Sequence, residues 1–386
     1  MTLQLRSTLA ALLASSLVMG CGGGGGGTPP TDVVLDESYY TNKYGYAEGD
    51  SFLGRGINMG NYLEADDDEG DWTGGRLIQA ADFTDIKAAG FKSVRIPIRW
   101  SAHASMTGPA YTIDAAFLAR VKQVVDWAIA ADLIVVINTH HYVEMMSQPE
   151  LLATHRARLA AFWDQISDTF PVSSYPADTL VFELLNEPNG AVGSTQWNQI
   201  IAQLTGVIWT DNAATQDGRK IMVGTASWGG PTSLSNLALP EACNPGNTII
   251  TIHWYEPFRF THQGASWVDG ATDWRAIWRG TSDEQQPLLS LFQSVETWNA
   301  QQDLPFEVYV GEFGAHAGYP GASAGAEYRK AWTAFIAREA EARGWSWGYW
   351  EFDQAFGAYD RQANAWRPEI IEALIPVEAE PPPADE

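Results

Sequence analysis

The 386-residue chain reads as a single (β/α)8 barrel. Three observations predict it. Eight apolar, strand-like runs alternate with segments of helical period from one end of the folded region to the other. The runs are too apolar to have a wet face, as expected of parallel strands covered on both sides. The span of residues 35–375 is longer than a minimal barrel and leaves room for extended loops after the strands. An open, doubly wound sheet is the alternative reading of the same alternation.

In order, residues 53–60 read as the first strand and 74–89 as the helix that returns from it. The second strand, 91–100, is followed by the clearest helix, 114–132, where Leu118, Val121, Val125, Ala128 and Ile129 fall on one face. Strands at 133–141 and 180–188 precede helices at 150–170 and 194–211. The fifth strand, 220–230, leads into a stretch that is mostly loop. Strands at 247–257, 307–315 and 345–353 alternate with helices at 288–301, 324–343 and 368–374. No internal repeat is visible beyond the strand–helix alternation, so one domain suffices.

The ends belong to another regime. Residues 1–20 carry one charge, Arg6, and an apolar run at 9–18 that is too short to stay as a membrane-spanning helix. The segment Leu17-Val-Met-Gly-Cys21 resembles the lipobox of bacterial lipoproteins, which implies cleavage before Cys21 and lipid attached to it. A protein simply secreted after cleavage nearby is the alternative. Residues 21–34, with glycines 22–27 and the Thr-Pro-Pro that follows, are expected to act as a tether after the lipidated Cys21, and 376–386 form an acidic, proline-rich tail. The expectation is therefore a monomeric barrel at 35–375, held at the bacterial envelope and touching membrane only through its anchor.

With Cys21 assigned to lipid, Cys243 alone remains and no intrachain disulfide can form. Removing the leader takes away Arg6 and moves the formal charge from −24 to −25. That acidity argues against nucleic acid or anionic lipid as partner and fits a neutral polysaccharide.

Barrels build their sites at the C-terminal ends of the strands. Collected there are Asn58 and Asn61, Arg95, His140 and His141, Asn186 and Glu187, Trp228, His253 and Tyr255, Glu312, and Trp350. Glu187 and Glu312 lie 125 residues apart, at the ends of the fourth and seventh runs. Two carboxyls brought together this way suit cleavage of a glycosidic bond, one giving a proton to the leaving oxygen and the other attacking or stabilising the sugar carbon. The first needs a raised pKa, and the second must stay ionised. A charged Glu312 disfavours charge on Glu187, Arg95 can keep Glu312 anionic, and Tyr255 can donate to it. Asn186 is placed to bond a sugar 2-hydroxyl, and His140, His141 and His253 to orient carboxylates or hydroxyls.

Val94-Arg-Ile-Pro-Ile98, Asn138-Thr-His-His-Tyr142, Leu185-Asn-Glu-Pro188, His253-Trp-Tyr255, Gly311-Glu-Phe313 and Tyr349-Trp-Glu-Phe352 together resemble glycoside hydrolase family 5, the cellulase and mannanase family, over essentially the whole barrel. The resemblance implies a retaining β-glycanase with Glu187 as acid/base and Glu312 as nucleophile. It makes Arg95, His140, Asn186, His253, Tyr255 and Trp350 the surrounding subsite residues. The segment 255–267 is similar to a loop of bacterial cellulases, which points to an endo-β-1,4-glucanase; mannan, xyloglucan and mixed-linkage glucan are the other substrates the same mechanism serves.

Each residue has a plainer reading. Arg95 can neutralise Glu183, four residues before Glu187, as well as Glu312. His140, His141 and Glu144 hint at a metal, but neighbouring residues on a strand point to opposite faces, and no Cys or Asp cluster completes a shell. Neither metal nor cofactor is expected. Trp350 can be core packing, as can about half of Trp72, Trp228, Trp254, Trp267, Trp274, Trp278 and Trp350 themselves. Asp66–Glu69 and Asp283-Glu284 read as solvated loop charge. A surface lipoprotein that only binds polysaccharide is the reading from another class, but it has no need of Glu187 and Glu312.

Overall fold

The computed structural model describes residues 33–47, 49–318 and 325–376. The expected leader at 1–20, Cys21, the glycine run and all but the first residue of the acidic tail lie outside these. Eight parallel strands close on themselves in chain order: β1 (Arg55–Asn58), β2 (Ser93–Ile96), β3 (Ile134–Asn138), β4 (Leu180–Glu183), β5 (Ile221–Val223), β6 (Thr248–Trp254), β7 (Glu307–Phe313) and β8 (Ser346–Tyr349). The last strand pairs with the first through Ile57 and Tyr349. Every predicted strand is present but shorter, because its C-terminal residues leave the ladder to build the rim.

The helices are α1 (Ala80–Ala88), α2 (Ala115–Ala130), α3 (Val143–Ser147), α4 (Leu152–Thr169), α5 (Ser194–Gly206), α6 (Ala213–Gln216), α7 (Phe258–Thr261), α8 (Ser282–Ala300), α9 (Ala326–Glu341) and α10 (Pro368–Leu374). Helix α2 is capped by Asp114, whose Oδ1 accepts from Ala116 and Phe117 N–H. After β5 a 3-10 stretch, Pro231–Asn236, stands where the other strands have a helix. Helix α8 starts six residues earlier than its apolar spacing indicates. Its capping box, Thr281 with Glu284, nucleates a first turn that tolerates Pro287. Glu284 is thus a cap, and Glu69 binds Arg120 and the Ile78 N–H, so neither is free loop charge. The short helices α3, α6 and α7, and the small antiparallel pair β9 (Tyr359–Asp360) and β10 (Ala365–Trp366), hold too few residues to show a period.

The core has two shells. Outward residues such as Val94, Ile96, Val135, Ile137, Phe182 and Val310 meet the helices. Inward residues plug the barrel, with Val136, Val181, Met222, Ile249 and Tyr309 forming an apolar layer. Two residues further along the same strands, alternation delivers Asn138 and Glu183 to the layer above.

Alternation alone fails at the seventh strand. Tyr309 faces in and Val310 out, so Glu312 is due to face the helices. The ladder between β6 and β7 instead slips after Ile252–Val310, and His253 pairs with Glu312. Gly311 is the extra residue, and the bulge turns Glu312 inward and Phe313 outward. A side chain at Gly311 would place its Cβ 2.4 Å from Thr251 Oγ1.

These positions give a pair of opposite expectations. Gly311→Ala is expected to destabilise the fold by about 1–3 kcal/mol through overpacking. Gly206→Ala, at the helical end of α5 with nothing within 4 Å of the new methyl, is expected to stabilise by about 0.4–1 kcal/mol. Calorimetric melting should order the midpoints Gly206→Ala, wild type, Gly311→Ala.

Candidate active site

Arg95 lies wholly buried at the end of β2 and uses all five of its N–H groups. Nε and Nη2 donate to the two oxygens of Glu183 at 2.5 and 2.9 Å. Nη1 donates to Glu312 Oε1 at 2.7 Å and to Asn58 Oδ1 at 2.9 Å, and Nη2 also reaches Asn186 Oδ1 at 2.7 Å. Both readings of Arg95 are therefore true at once. Asn58 completes the brace, its Nδ2 donating to the carbonyls of Gly311, Gly348 and Tyr349.

Glu312 receives a second donor, Tyr255 O–H, at 2.9 Å on Oε2. Burial opposes its charge, but His253, Arg95 and Tyr255 override burial and hold its carboxyl below the ordinary value. Tyr255 itself is driven well above the usual phenol range by burial and by Glu312, so it stays a donor. Glu187 goes the other way, raised by burial and by the Glu312 charge against the pull of His253. His253 Nδ1 meets Glu187 Oε1 at 2.7 Å, and its pKa is raised because the two carboxyls outweigh burial. The three groups titrate together, with Glu187 and His253 each pushed toward the protonated form and Glu312 toward the anion. An oxygen of Glu187 and one of Glu312 lie within 4.8 Å of each other, and Glu187 is 22% exposed, within reach of a ligand.

The histidine pair departs from the sequence reading. Strand β3 ends at Asn138, and His141 takes a left-handed φ of 44°, so the rings do not go to opposite faces. They meet edge to face at 4.4 Å. Asn138 fixes the first of them: its Oδ1 accepts from Ile98 N–H and its Nδ2 donates to His140 Nδ1, leaving His140 protonated on Nε2. Burial keeps His140 neutral, and it pushes His141 down to about 4.

Trp350 is half-buried and stacks on His140 at 5.8 Å with ring planes 8° apart, over the bare backbone of Gly60. Trp228 is exposed with φ 66°, next to Gly229, which packs against His253 and Glu187. Of the other tryptophans, Trp254 and Trp278 are core, while Trp72 and Trp267 stand exposed.

Two buried carboxyls escaped the sequence reading. Glu64 accepts the backbone N–H groups of Asn61 and Tyr62, and Glu351 accepts from Phe356 N–H and the Asn61 side chain. The signal was present, since each is an acid set in an apolar run just past a strand end. Burial raises both, Glu64 to about 8 and Glu351 well above the carboxylate range.

Glu187, His253 and Glu312 place three donor atoms close enough for a metal ion. The donors are already engaged: Glu187 with His253, and Glu312 with Arg95 and Tyr255. A cation there would also sit against the permanent charge of Arg95, so the arrangement suits protons better than a metal.

The sequence model of the family described as Cellulase (glycosyl hydrolase family 5) matches residues 47–356. Endoglucanase H of Acetivibrio thermocellus is 33% identical over 84% of this chain, which spans only a third of that protein's length. Endoglucanase B of Clostridium cellulovorans is 28% identical over 83% of the chain and 73% of its own. The crystal structure of endoglucanase Cel5A from the hyperthermophilic Thermotoga maritima superposes with a TM-score of 0.75 at 43% identity, covering 85% of this chain and 99% of that one. Related structures of that enzyme hold cellobiose and mannotriose.

The raised pKa of Glu351 has a measurable consequence. An acid whose folded pKa lies above its unfolded value stabilises fully below about pH 4.5 and loses that contribution as pH rises toward the folded value. Glu351→Gln keeps the acceptor for Phe356 N–H and cannot ionise. Urea melts at pH 4.5, 6 and 8 should show the variant gaining on wild type as pH rises, by on the order of 1 kcal/mol or more. Parallel curves would mean that folding does not raise the Glu351 pKa.

Proposed function

From the chain's membership of glycosyl hydrolase family 5, we propose that it is a retaining endo-β-1,4-glucanase acting by double displacement, with Glu187 as acid/base and Glu312 as nucleophile. The observation that carries this is the pairing itself: two carboxyls with oxygens within 4.8 Å and pKa values pushed in opposite directions. Retaining enzymes hold the two groups about 5–5.5 Å apart, whereas inverting ones leave about 6.5–9.5 Å for a water.

In the first step Glu187 gives its proton to the leaving glycosidic oxygen while a Glu312 oxygen attacks the anomeric carbon, forming an α-linked glycosyl ester. In the second, Glu187 takes a proton from water, the water attacks the same carbon, and the ester breaks to release a β-configured sugar and free Glu312. Arg95 and Tyr255 hold Glu312 anionic and aimed. Asn186, its Oδ1 committed to Arg95, turns its amide N–H toward a sugar 2-hydroxyl. Trp350 is the stacking face for the sugar next to the scissile bond, and neutral His140 offers it an Nε2–H. Exposed Trp72, Trp228 and Trp267 on the strand-end loops suit an open cleft for a long chain.

The endoglucanase relatives support β-1,4-glucan as the substrate. The mannotriose complex of the Thermotoga enzyme favours mannan as the second substrate to test, ahead of xyloglucan and mixed-linkage glucan.

We also propose that Cys21 carries lipid and holds the enzyme at the bacterial envelope. Val34 N–H donates to Arg279 O beside the start of α8, on the rim to which the strand ends point. Twelve residues from Cys21 to Val33 reach at most about 40 Å, so such an anchor would keep the cleft-bearing face near the membrane.

Glu312→Gln is expected to abolish activity on every substrate, a loss of about three orders of magnitude or more. Glu187→Ala should retain more activity on an aryl cellobioside with an activated leaving group, and azide should rescue it as the β-glycosyl azide. Viscosity of carboxymethylcellulose should fall before much reducing sugar appears; activity on mannan alone would overturn the glucan assignment. For the anchor, wild type should partition with membranes, and Cys21→Ser should be soluble or unprocessed. Wholly soluble, correctly processed wild type would remove the lipid.

A further inference from the structure

We propose that Asp353 is a positioning residue, acting through Tyr62, Arg76 and Arg361 to hold the indole of Trp350 against the floor formed by Gly60. Trp350 begins the loop after β8, and Asp353 lies three residues further on with its side chain fully buried. Its Oδ2 accepts from Tyr62 O–H at 2.8 Å, from Arg76 Nη2 at 2.9 Å and from Arg361 Nε. The Tyr62 hydroxyl in turn accepts from Arg76 Nε and Nη2 at 2.8 and 2.6 Å. Arg361 Nη1 reaches Asp82 Oδ1 in α1 at 2.5 Å. Two carboxylates thus balance two guanidiniums, and the cluster is neutral.

Its placement gives it a task. Tyr62 stands two residues past Gly60 on the loop after β1. A Cβ on Gly60 would lie 2.8 Å from the Trp350 ring, so the indole rests on that backbone. The two loops belong to the first and last strands, which meet only where the barrel closes. The bond between Tyr62 and Asp353, 291 residues apart, ties floor and ring together. Arg361 also lies over the Phe352 ring at 4.7 Å, clamping one of the two residues between Trp350 and Asp353. Neither Glu187 nor Glu312 is hydrogen-bonded to any member of the cluster, so Asp353 acts on the reaction through Trp350.

The catalytic part of this inference rests on the glucanase reading, and a double-mutant cycle tests it. With wild type, Asp353→Asn, Trp350→Ala and the double variant on an aryl β-cellobioside, Asp353→Asn is expected to lower kcat/KM about tenfold in the wild-type background. In the Trp350→Ala background it should cost less than twofold. Equal losses in both backgrounds would overturn the proposal. Tyr62→Phe, which removes one hydroxyl, should give the same pattern at smaller size and guards against poor folding of Asp353→Asn. A second readout needs no substrate. The indole N–H resonance of Trp350, assigned by its loss in Trp350→Phe, should shift in Asp353→Asn and Tyr62→Phe while that of Trp228 stays. An unmoved Trp350 resonance refutes the positioning role, whereas a wild type inert on β-glucans refutes only the functional reading.

Discussion

The site depends on one guanidinium with no free donor. Arg95 binds Glu183 below it, Glu312 above it, and Asn58 and Asn186 on either side. Its planar fork supplies five donors in fixed directions, where a lysine would supply three on a flexible stem. Because it is shielded from water, its charge acts on Glu312 with less screening than a surface guanidinium would suffer. An ionised Glu312 then sets the state of its neighbours: it disfavours charge on Glu187, favours a proton on His253, and keeps Tyr255 protonated. Division of labour between two chemically identical side chains follows from their surroundings: His253, Arg95 and Tyr255 hold Glu312 down, while burial and the Glu312 charge push Glu187 up.

Backbone irregularity brings those groups to the same point. A regular β7 would direct Glu312 toward the helices, and the bulge at Gly311 reverses that. Asn61, His141, Glu187 and Trp228 all take left-handed φ values, between 44° and 71°, that side chains other than glycine rarely adopt. These four, with Ser227 at φ 61° beside Trp228, mark strain concentrated where the ligand is expected, held by the stiff barrel beneath. Hydrogen bonds between neighbouring segments of that rim, such as Asn186 N–H to Thr139 O and His253 N–H to Gly229 O, keep these turns in place.

Much of this was legible in the chain itself. Continuous apolar runs marked all eight strands, and acids or amides ending those runs marked Glu187, Glu312, Asn58 and Asn186. The double role of Arg95 was readable because Glu183 and Glu312 both end up inside one barrel. What resisted reading depends on register or on distant partners. Strict alternation cannot anticipate the slip at Gly311, although a glycine before a strand-end acid is its trace. His141 was misplaced because β3 stops at Asn138, and strand end-points are set by neighbouring strands as much as by sequence. Glu351 and Asp353 gain their meaning from Asn61 and Tyr62 across the barrel seam, and no local pattern announces a partner about 290 residues away.

The central claim is that Glu312, held anionic by Arg95, forms a covalent bond to the sugar. Incubation with an activated 2-deoxy-2-fluoro-β-cellobioside, followed by peptide mass spectrometry, tests it most directly, since the fluorine slows both steps and the activated leaving group lets the ester accumulate. The account predicts one added fluorocellobiosyl group per chain, carried on Glu312 and lost on standing as activity returns. A label on Glu187, or no label together with α-configured product from wild-type hydrolysis, would contradict it.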